Sequence, residues 1–323
     1  MRMACAASAA CLAALLAGCF GGGSRIVSIA EVDGSNDHRI FRIGSIGKIM
    51  MEPVLWRLED SGAIDFDRPV GEYLRDALPP EFDDVTLRML HDNVAGLPRE
   101  LMDLLCLEDI VGALSSGIFG TDLYFGFATR REFIARLWRP SVRVKVARRD
   151  GDGVYSNAGY VLMMMAIEDA TGMTAEELCR RHLIEPYGLV DTSFEPGEAM
   201  LQRVLPPCAG SLPWVFPAGT EIPDHRENEI VMHSGGMLSS ASDILKVCYV
   251  IMPHVERASG LLFRRRLPCG RDVFFRHGMV YGGSAFVGFD PAAPRAVVLL
   301  RNATCWPSDD GIDLMEHLAN PPR

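Results

Sequence analysis

The sequence predicts an α+β fold: an antiparallel sheet flanked by helices, with an all-helical domain inserted into it. Extended patterning lies at the two ends of the chain and helical periodicity fills the middle, as expected when first and last strands share one sheet around an intervening helical unit. The length, 323 residues, suits two structural units around one core. Hydrophobic residues make up 48% and charged residues 23%, an ordinary globular balance that excludes a disordered chain, a collagen-like rod and a multi-span membrane protein.

Residues 25–32 alternate apolar and polar side chains as a half-buried strand does, and Asp33-Gly34 ends the run. Residues 40–43 form a second, shorter extended stretch. Helical periodicity starts at Ser45 and continues through Ile49, Val54, Leu55 and Leu58 to Ser61-Gly62. Pro53 removes a backbone donor inside that run and predicts a kink. Residues 87–91, 132–137, 158–170 and 174–184 read as helices, with Gly172 and Gly188 as stops. A helix over 242–251 then precedes strands over 272–277, 284–290 and 296–302, and a helix over 312–318 closes the chain. The sheet part is expected at 25–69 and 226–323, with the helical insertion at 70–225.

The first 18 residues place one Arg ahead of an apolar run of small residues and leucines, the order of an export signal and too short to span a bilayer. The run ends at Leu16-Ala17-Gly18-Cys19, which resembles a bacterial lipobox. That resemblance implies that Cys19 becomes the first mature residue and carries a lipid. Residues 19–24 then serve as a tether to a domain over 25–323. The protein is expected to be exported and anchored by lipid to the bacterial cell envelope, at the periplasmic or outer surface.

The net charge of −10 argues against a nucleic-acid partner, which needs clustered cations. Nine cysteines become six after export and lipidation: Cys106, Cys179, Cys208, Cys248, Cys269 and Cys305. Their spacing selects no disulfide pairing, and buried free thiols are the simpler alternative. No CxxC or HExxH motif occurs, so no metal or other cofactor is expected.

Three short motifs carry chemistry. In Ser45-Ile46-Gly47-Lys48 a helix places the Lys48 amine beside the Ser45 hydroxyl, at i and i+3. A serine hydroxyl needs a neighbouring base, which a buried lysine can supply and an arginine cannot. The chain holds 29 Arg and only three Lys, so a lysine here fits a site where guanidinium would fail. At the helix start the unpaired Ser45 N–H can face a developing oxyanion. Tyr155-Ser156-Asn157 offers a phenol that relays protons beside an ammonium, and an amide that holds the lysine or a substrate carbonyl. Asn157 is also a plain candidate to cap the helix that follows. Arg276-His277-Gly278-Met279 lies on a predicted strand, where His277 could bond a reacting group and the strand edge could donate an N–H.

Together, the order SxxK, YSN and His-Gly resembles the serine β-lactamase and penicillin-binding-protein superfamily, in the branch of class C β-lactamases, DD-peptidases and carboxylesterases. Phe41-Arg42-Ile43-Gly44, Ala95-Gly96-Leu97-Pro98, the stretch from YSNAGY through IEPYGLVDTSF, and Gly235-Gly236-Met237-Leu238-Ser239-Ser240 extend the similarity over residues 40–302. The resemblance implies an acyl-enzyme hydrolase with Ser45 as nucleophile, Lys48 as base, Tyr155 as proton relay and Asn157 orienting the lysine. It places His277 where the family's KTG form has Lys, and the oxyanion hole at the Ser45 and Val280 N–H groups. The implied substrate is a small-molecule or peptide carbonyl compound: an ester, a β-lactam or a D-amino-acid peptide. The alternative is a non-catalytic cell-wall-binding or scaffold lipoprotein of the same fold.

Four departures from the family pattern set further expectations. Met279 stands where the family has Gly, so its side chain is expected to narrow the cleft or change its preference. The family's HxSGL turn becomes Asn93-Val94-Ala95-Gly96-Leu97, with His91 displaced. Pro53 interrupts the helix of Ser45 and Lys48. Only 25 residues separate Cys19 from Ser45, predicting a sheet edge and one sheet face short of cover.

Overall fold

A computed structural model describes residues 27–30, 38–101, 129–149, 153–209, 220–221, 229–258, 260–280, 282–293 and 295–319. The expected signal and tether (1–24), with Cys19, and Cys106 lie outside the described residues. In chain order the strands are β1 (Val27–Ala30), β2 (Phe41–Arg42), β3 (Leu238–Ser239), β4 (Phe263–Arg266), β5 (Asp272–Val280), β6 (Gly283–Asp290) and β7 (Arg295–Arg301). Five of them form an antiparallel sheet in the order β1-β7-β6-β5-β4, with Ser28 opposite Leu300 and His277 opposite Phe286. β2 and β3 pair separately. The sheet thus joins the first strand to the last ones, as expected from the patterning at the chain ends.

The helices are α1 (Ile46–Asp60), α2 (Leu87–His91), α3 (Arg130–Leu137), α4 (Pro140–Arg148), α5 (Asn157–Thr171), α6 (Ala175–Cys179), α7 (Glu185–Tyr187), α8 (Glu198–Leu201), α9 (Glu229–Gly235), α10 (Ala241–Ile251) and α11 (Ser308–Ala319). Gly172 and Gly188 end α5 and α7 in the left-handed region, at φ 69° and 58°. The predicted helix over 174–184 instead passes from α6 through a π-helical turn, Arg180–Ile184, into α7. α1 runs unbroken through Pro53. Apart from Arg57, Glu59 and Asp60 its residues are buried, so neighbours on every side hold it as a helix despite the missing donor.

Every residue of β6 is buried, because both faces of the sheet are covered. Ala285, Val287 and Phe289 join the main core with Val298 and Leu300 of β7. Phe286, Val297 and Leu299 point the other way, onto Ile312, Leu314 and Met315 of α11. A Cβ on Gly311 would fall 2.2 Å from Phe286 Cγ, so the glycine lets α11 sit directly on the sheet. The C-terminal helix therefore covers the face that the short amino-terminal region was expected to leave open. β4 gave no sequence signal, since all four of its residues are exposed and three are Arg. Arg264 and Arg266 pair with Asp272 of β5 at 2.6 and 3.0 Å, and the charges guard the edge against further pairing. Cys179, Cys208, Cys248 and Cys305 are buried free thiols and Cys269 is an exposed one.

Candidate active site

Gly44 turns the chain from β2 into α1 at φ 54°, where a Cβ would meet Met279 N at 2.8 Å. Ser45 occupies the N-cap position, but its hydroxyl makes no cap hydrogen bond. The Oγ is instead 2.7 Å from Tyr155 Oη and accepts from Lys48 Nζ at 3.2 Å. Lys48, 1% exposed, also donates to Asn157 Oδ1 at 2.8 Å and to the Ser234 carbonyl at the end of α9. Its Nζ lies 5.3 and 5.2 Å from the ring centroids of Tyr155 and Tyr160. The fold therefore brings Ser45, Lys48, Tyr155 and Asn157 into one hydrogen-bonded cluster from segments more than a hundred residues apart.

The cap of α5 is Ser156, not Asn157. Ser156 Oγ accepts from Gly159 N at 2.9 Å and donates to Pro98 O at 2.7 Å. Asn157, freed from capping, accepts from Lys48 and from the Tyr155 hydroxyl (2.9 Å) and donates to Glu100 Oε1 at 2.6 Å. The altered turn braces this start: Asn93, at φ 60°, accepts from Ser156 N at 2.8 Å, and Arg99 O accepts from Asn157 N at 3.0 Å. Displaced His91 lies in the core. Its Nε2 is 2.9 Å from Glu52 Oε1 and its Nδ1 2.7 Å from Asp92 Oδ1, while Trp56 Nε1 donates to Glu52 Oε2 at 3.0 Å.

β5 changes three expectations. A Cβ on Gly278 would lie 2.2 Å from Ile43 O and 2.9 Å from Ser45 N, so Gly278 is the bare position beside the nucleophile, and the Met279 side chain does not occupy it. Side chains alternate along a strand, so Arg276 shares the Gly278 face and His277 does not. Arg276, not His277, accordingly stands at the cluster, its guanidinium carbon 4.3 Å from the Tyr155 ring centroid. His277 stacks on Phe263 at 5.5 Å and meets Trp306 at 4.6 Å. Val280 pairs with Gly283 across two residues. The closing pair of such a hairpin directs its hydrogen-bonding groups inward, and by alternation the Met279 N–H faces the open edge. The strand donor beside Ser45 is therefore that of Met279, one residue before Val280.

Burial lowers the Lys48 amine from its usual value and the nearby Arg276 charge adds to this, against the opposing pull of Tyr155 and Glu100. Burial disfavours the Tyr155 phenolate, but Lys48, Arg276 and the hydrogen bonds from Lys48 and Ser45 outweigh it and bring the phenol below its ordinary range. Burial, with Arg276 and Arg99 nearby, pushes His277 down to about 4, leaving a neutral ring at neutral pH. The arrangement is a serine hydroxyl flanked by an amine and a phenol that both titrate below their ordinary ranges.

Sequence reasoning missed Ser234, Arg276, Glu100 and Asn93. A backbone carbonyl such as that of Ser234 leaves no side-chain signature. Arg276 could have been found by applying strand alternation to the Gly278 position.

The Beta-lactamase family profile matches residues 28–319, and the chain belongs to that family. Among curated proteins it is similar to the D-alanyl-D-alanine-carboxypeptidase/endopeptidase AmpH of Escherichia coli K12, 23% identical over 211 residues. The match covers 64% of this chain and 47% of AmpH, so the chain spans about half the length of that relative. Among solved structures it is similar to a D-stereospecific amidohydrolase from Streptomyces sp. (TM-score 0.70, 19% identity, 97% of this chain and 99% of that one). It is also similar to a class C β-lactamase from Rhodobacter sphaeroides (TM-score 0.62, 16% identity, 91% and 94%). These likenesses establish the fold.

Proposed function

We propose that the protein is a serine hydrolase that works through an acyl-enzyme on Ser45. One observation carries the reading: Ser45 Oγ lies within hydrogen-bond reach of both Lys48 (3.2 Å) and Tyr155 (2.7 Å), the two groups shifted toward their proton-accepting forms. Lys48, with Tyr155 as relay, takes the Ser45 proton as Oγ attacks the substrate carbonyl. The Ser45 and Met279 N–H groups receive the negative charge on the carbonyl oxygen. Tyr155 returns the proton to the leaving group as the bond to it breaks, leaving an ester on Ser45. Water, activated by the same groups, then hydrolyses that ester and restores the serine.

The substrate class is a small carbonyl compound: an ester, a β-lactam or a D-amino-acid amide or peptide. AmpH and the Streptomyces amidohydrolase support the last of these by name. Fluorescent penicillin or a fluorophosphonate should label the wild type and not Ser45→Ala. Equal labelling of the two would leave the non-catalytic scaffold as the remaining reading. Residues 1–24 support the further proposal that the protein works at the cell envelope, anchored through a lipid on Cys19. In a bacterial host, Cys19→Ser should move it from the detergent phase to the aqueous phase in a detergent-partition assay; unchanged partition would exclude the anchor.

A further inference from the structure

Besides Ser45 Oγ, two acceptors hold the Lys48 ammonium, one on α5 and one on α9, and a side-chain contact ties the second back to α5. Asn157 is the first residue of α5. Ser234, whose carbonyl is the second acceptor, follows His233, and His233 Nε2 lies 3.0 Å from Glu168 Oε2, three turns further along α5. His233 is buried, and its other ring nitrogen, Nδ1, is buried with no hydrogen-bond partner, so the contact to Glu168 is what orients the ring. Glu168 is itself fixed, because Oε1 accepts from Ala175 N at 2.6 Å at the start of α6. The turn that follows has little room to shift. A Cβ on Gly236 would meet Met232 Cα at 2.5 Å, and Met237 Cβ lies 3.2 Å from the position of a Cβ on Gly47 in α1.

From this geometry we infer that His233 and Glu168 form a positioning pair, which holds the Ser234 carbonyl against Lys48 and so keeps Nζ within reach of Ser45. The inference rests on Lys48 being the proton acceptor of the proposed reaction, but the placement of its amine can be measured without catalysis. The other ionisable groups that bear on Lys48 are Tyr155 before α5, Tyr160 within it, Arg276 on β5 and Glu100 in the segment after α2.

The scarcity of lysine makes the test direct, since the chain holds only Lys48, Lys145 and Lys246. Lysine labelled with 13C at Cε gives three signals, which Lys48→Arg assigns, and Lys145 and Lys246 act as internal references. In His233→Ala the Ser234 carbonyl is held less firmly against the Lys48 ammonium, so its midpoint falls by about one pH unit while the reference signals stay. His233→Gln, whose amide can still donate to Glu168, restores most of the wild-type midpoint, and Glu168→Gln gives an intermediate shift. A Lys48 midpoint unchanged in His233→Ala, or moved equally in His233→Ala and His233→Gln, overturns the proposal. If His233→Ala does not fold, His233→Gln and Glu168→Gln decide: both at the wild-type midpoint would overturn the proposal, and a shift confined to Glu168→Gln would support it. Failure of wild-type protein to acylate overturns the hydrolase reading instead and leaves the titration to judge the positioning pair.

Discussion

The Arg276 guanidinium carbon stands 4.3 Å from the centroid of the Tyr155 ring, and its Nη1 donates to Leu261 O at 2.9 Å. The carbonyl fixes the cation over the phenol that touches Ser45. Arg276 therefore acts on both of the proposed proton acceptors, favouring the phenolate of Tyr155 and the neutral amine of Lys48. Arg276→Gln should raise both midpoints, move the acid limb of the acylation pH profile to higher pH and slow acylation at neutral pH by about tenfold. Arg276→Lys should keep most of the rate. A profile unmoved in Arg276→Gln would remove this role.

Lys48→Arg keeps the positive charge but replaces a titratable amine with a guanidinium that stays protonated. Acylation by a fluorophosphonate should fall by about a hundredfold or more, as for loss of a general base. The fold should remain near wild type by circular dichroism. Retained acylation would assign the base role to Tyr155 alone.

Gly278→Ala tests the close approach of β5 to the nucleophile. The added Cβ would meet Ile43 O at 2.2 Å and Ser45 N at 2.9 Å, and both are backbone atoms with no side-chain freedom to yield. The expected cost is about 1–3 kcal/mol in denaturant unfolding, with acylation lost as Ser45 is displaced. Met279→Ala, by contrast, should retain acylation, because the proposed donor is its backbone N–H.

The His91–Glu52 contact makes stability depend on pH. Burial alone would lower the His91 midpoint, but Glu52 and Asp92 overcome it and raise the imidazole to about 10. A group whose folded midpoint is raised stabilises fully below its unfolded value near 6.5 and loses that contribution as pH climbs toward 10. Unfolding free energy should therefore decline between about pH 6.5 and 10 in the wild type, and this decline should be absent in the double variant Glu52→Leu/His91→Leu. His91→Leu alone leaves the Glu52 carboxyl in the core without its imidazole partner and should cost about 3–5 kcal/mol. The double variant should recover much of that loss.

The sequence made legible what periodicity and spacing control. Ser45 and Lys48 meet because i and i+3 share a helix face, and the Gly172 and Gly188 stops follow from a conformation that glycine adopts freely. What it concealed depends on tertiary placement. Assigning the β5 motif from His277 rather than Arg276 shifted the whole strand by one residue, which exchanges its faces and puts the wrong side chain at the cluster. β4 was invisible because an exposed edge strand needs charge, not alternation. The cap of α5 fell to Ser156 because Asn157 is committed to Lys48, Tyr155 and Glu100.

In the proposed reaction Ser45 carries the acyl group. Intact-mass and peptide mass spectrometry after incubation with a penicillin or a fluorophosphonate tests it most directly. One adduct per chain is expected, on the peptide containing Ser45, absent in Ser45→Ala and strongly slowed in Lys48→Arg. An adduct on another residue, or equal modification of wild type and Ser45→Ala, would contradict it.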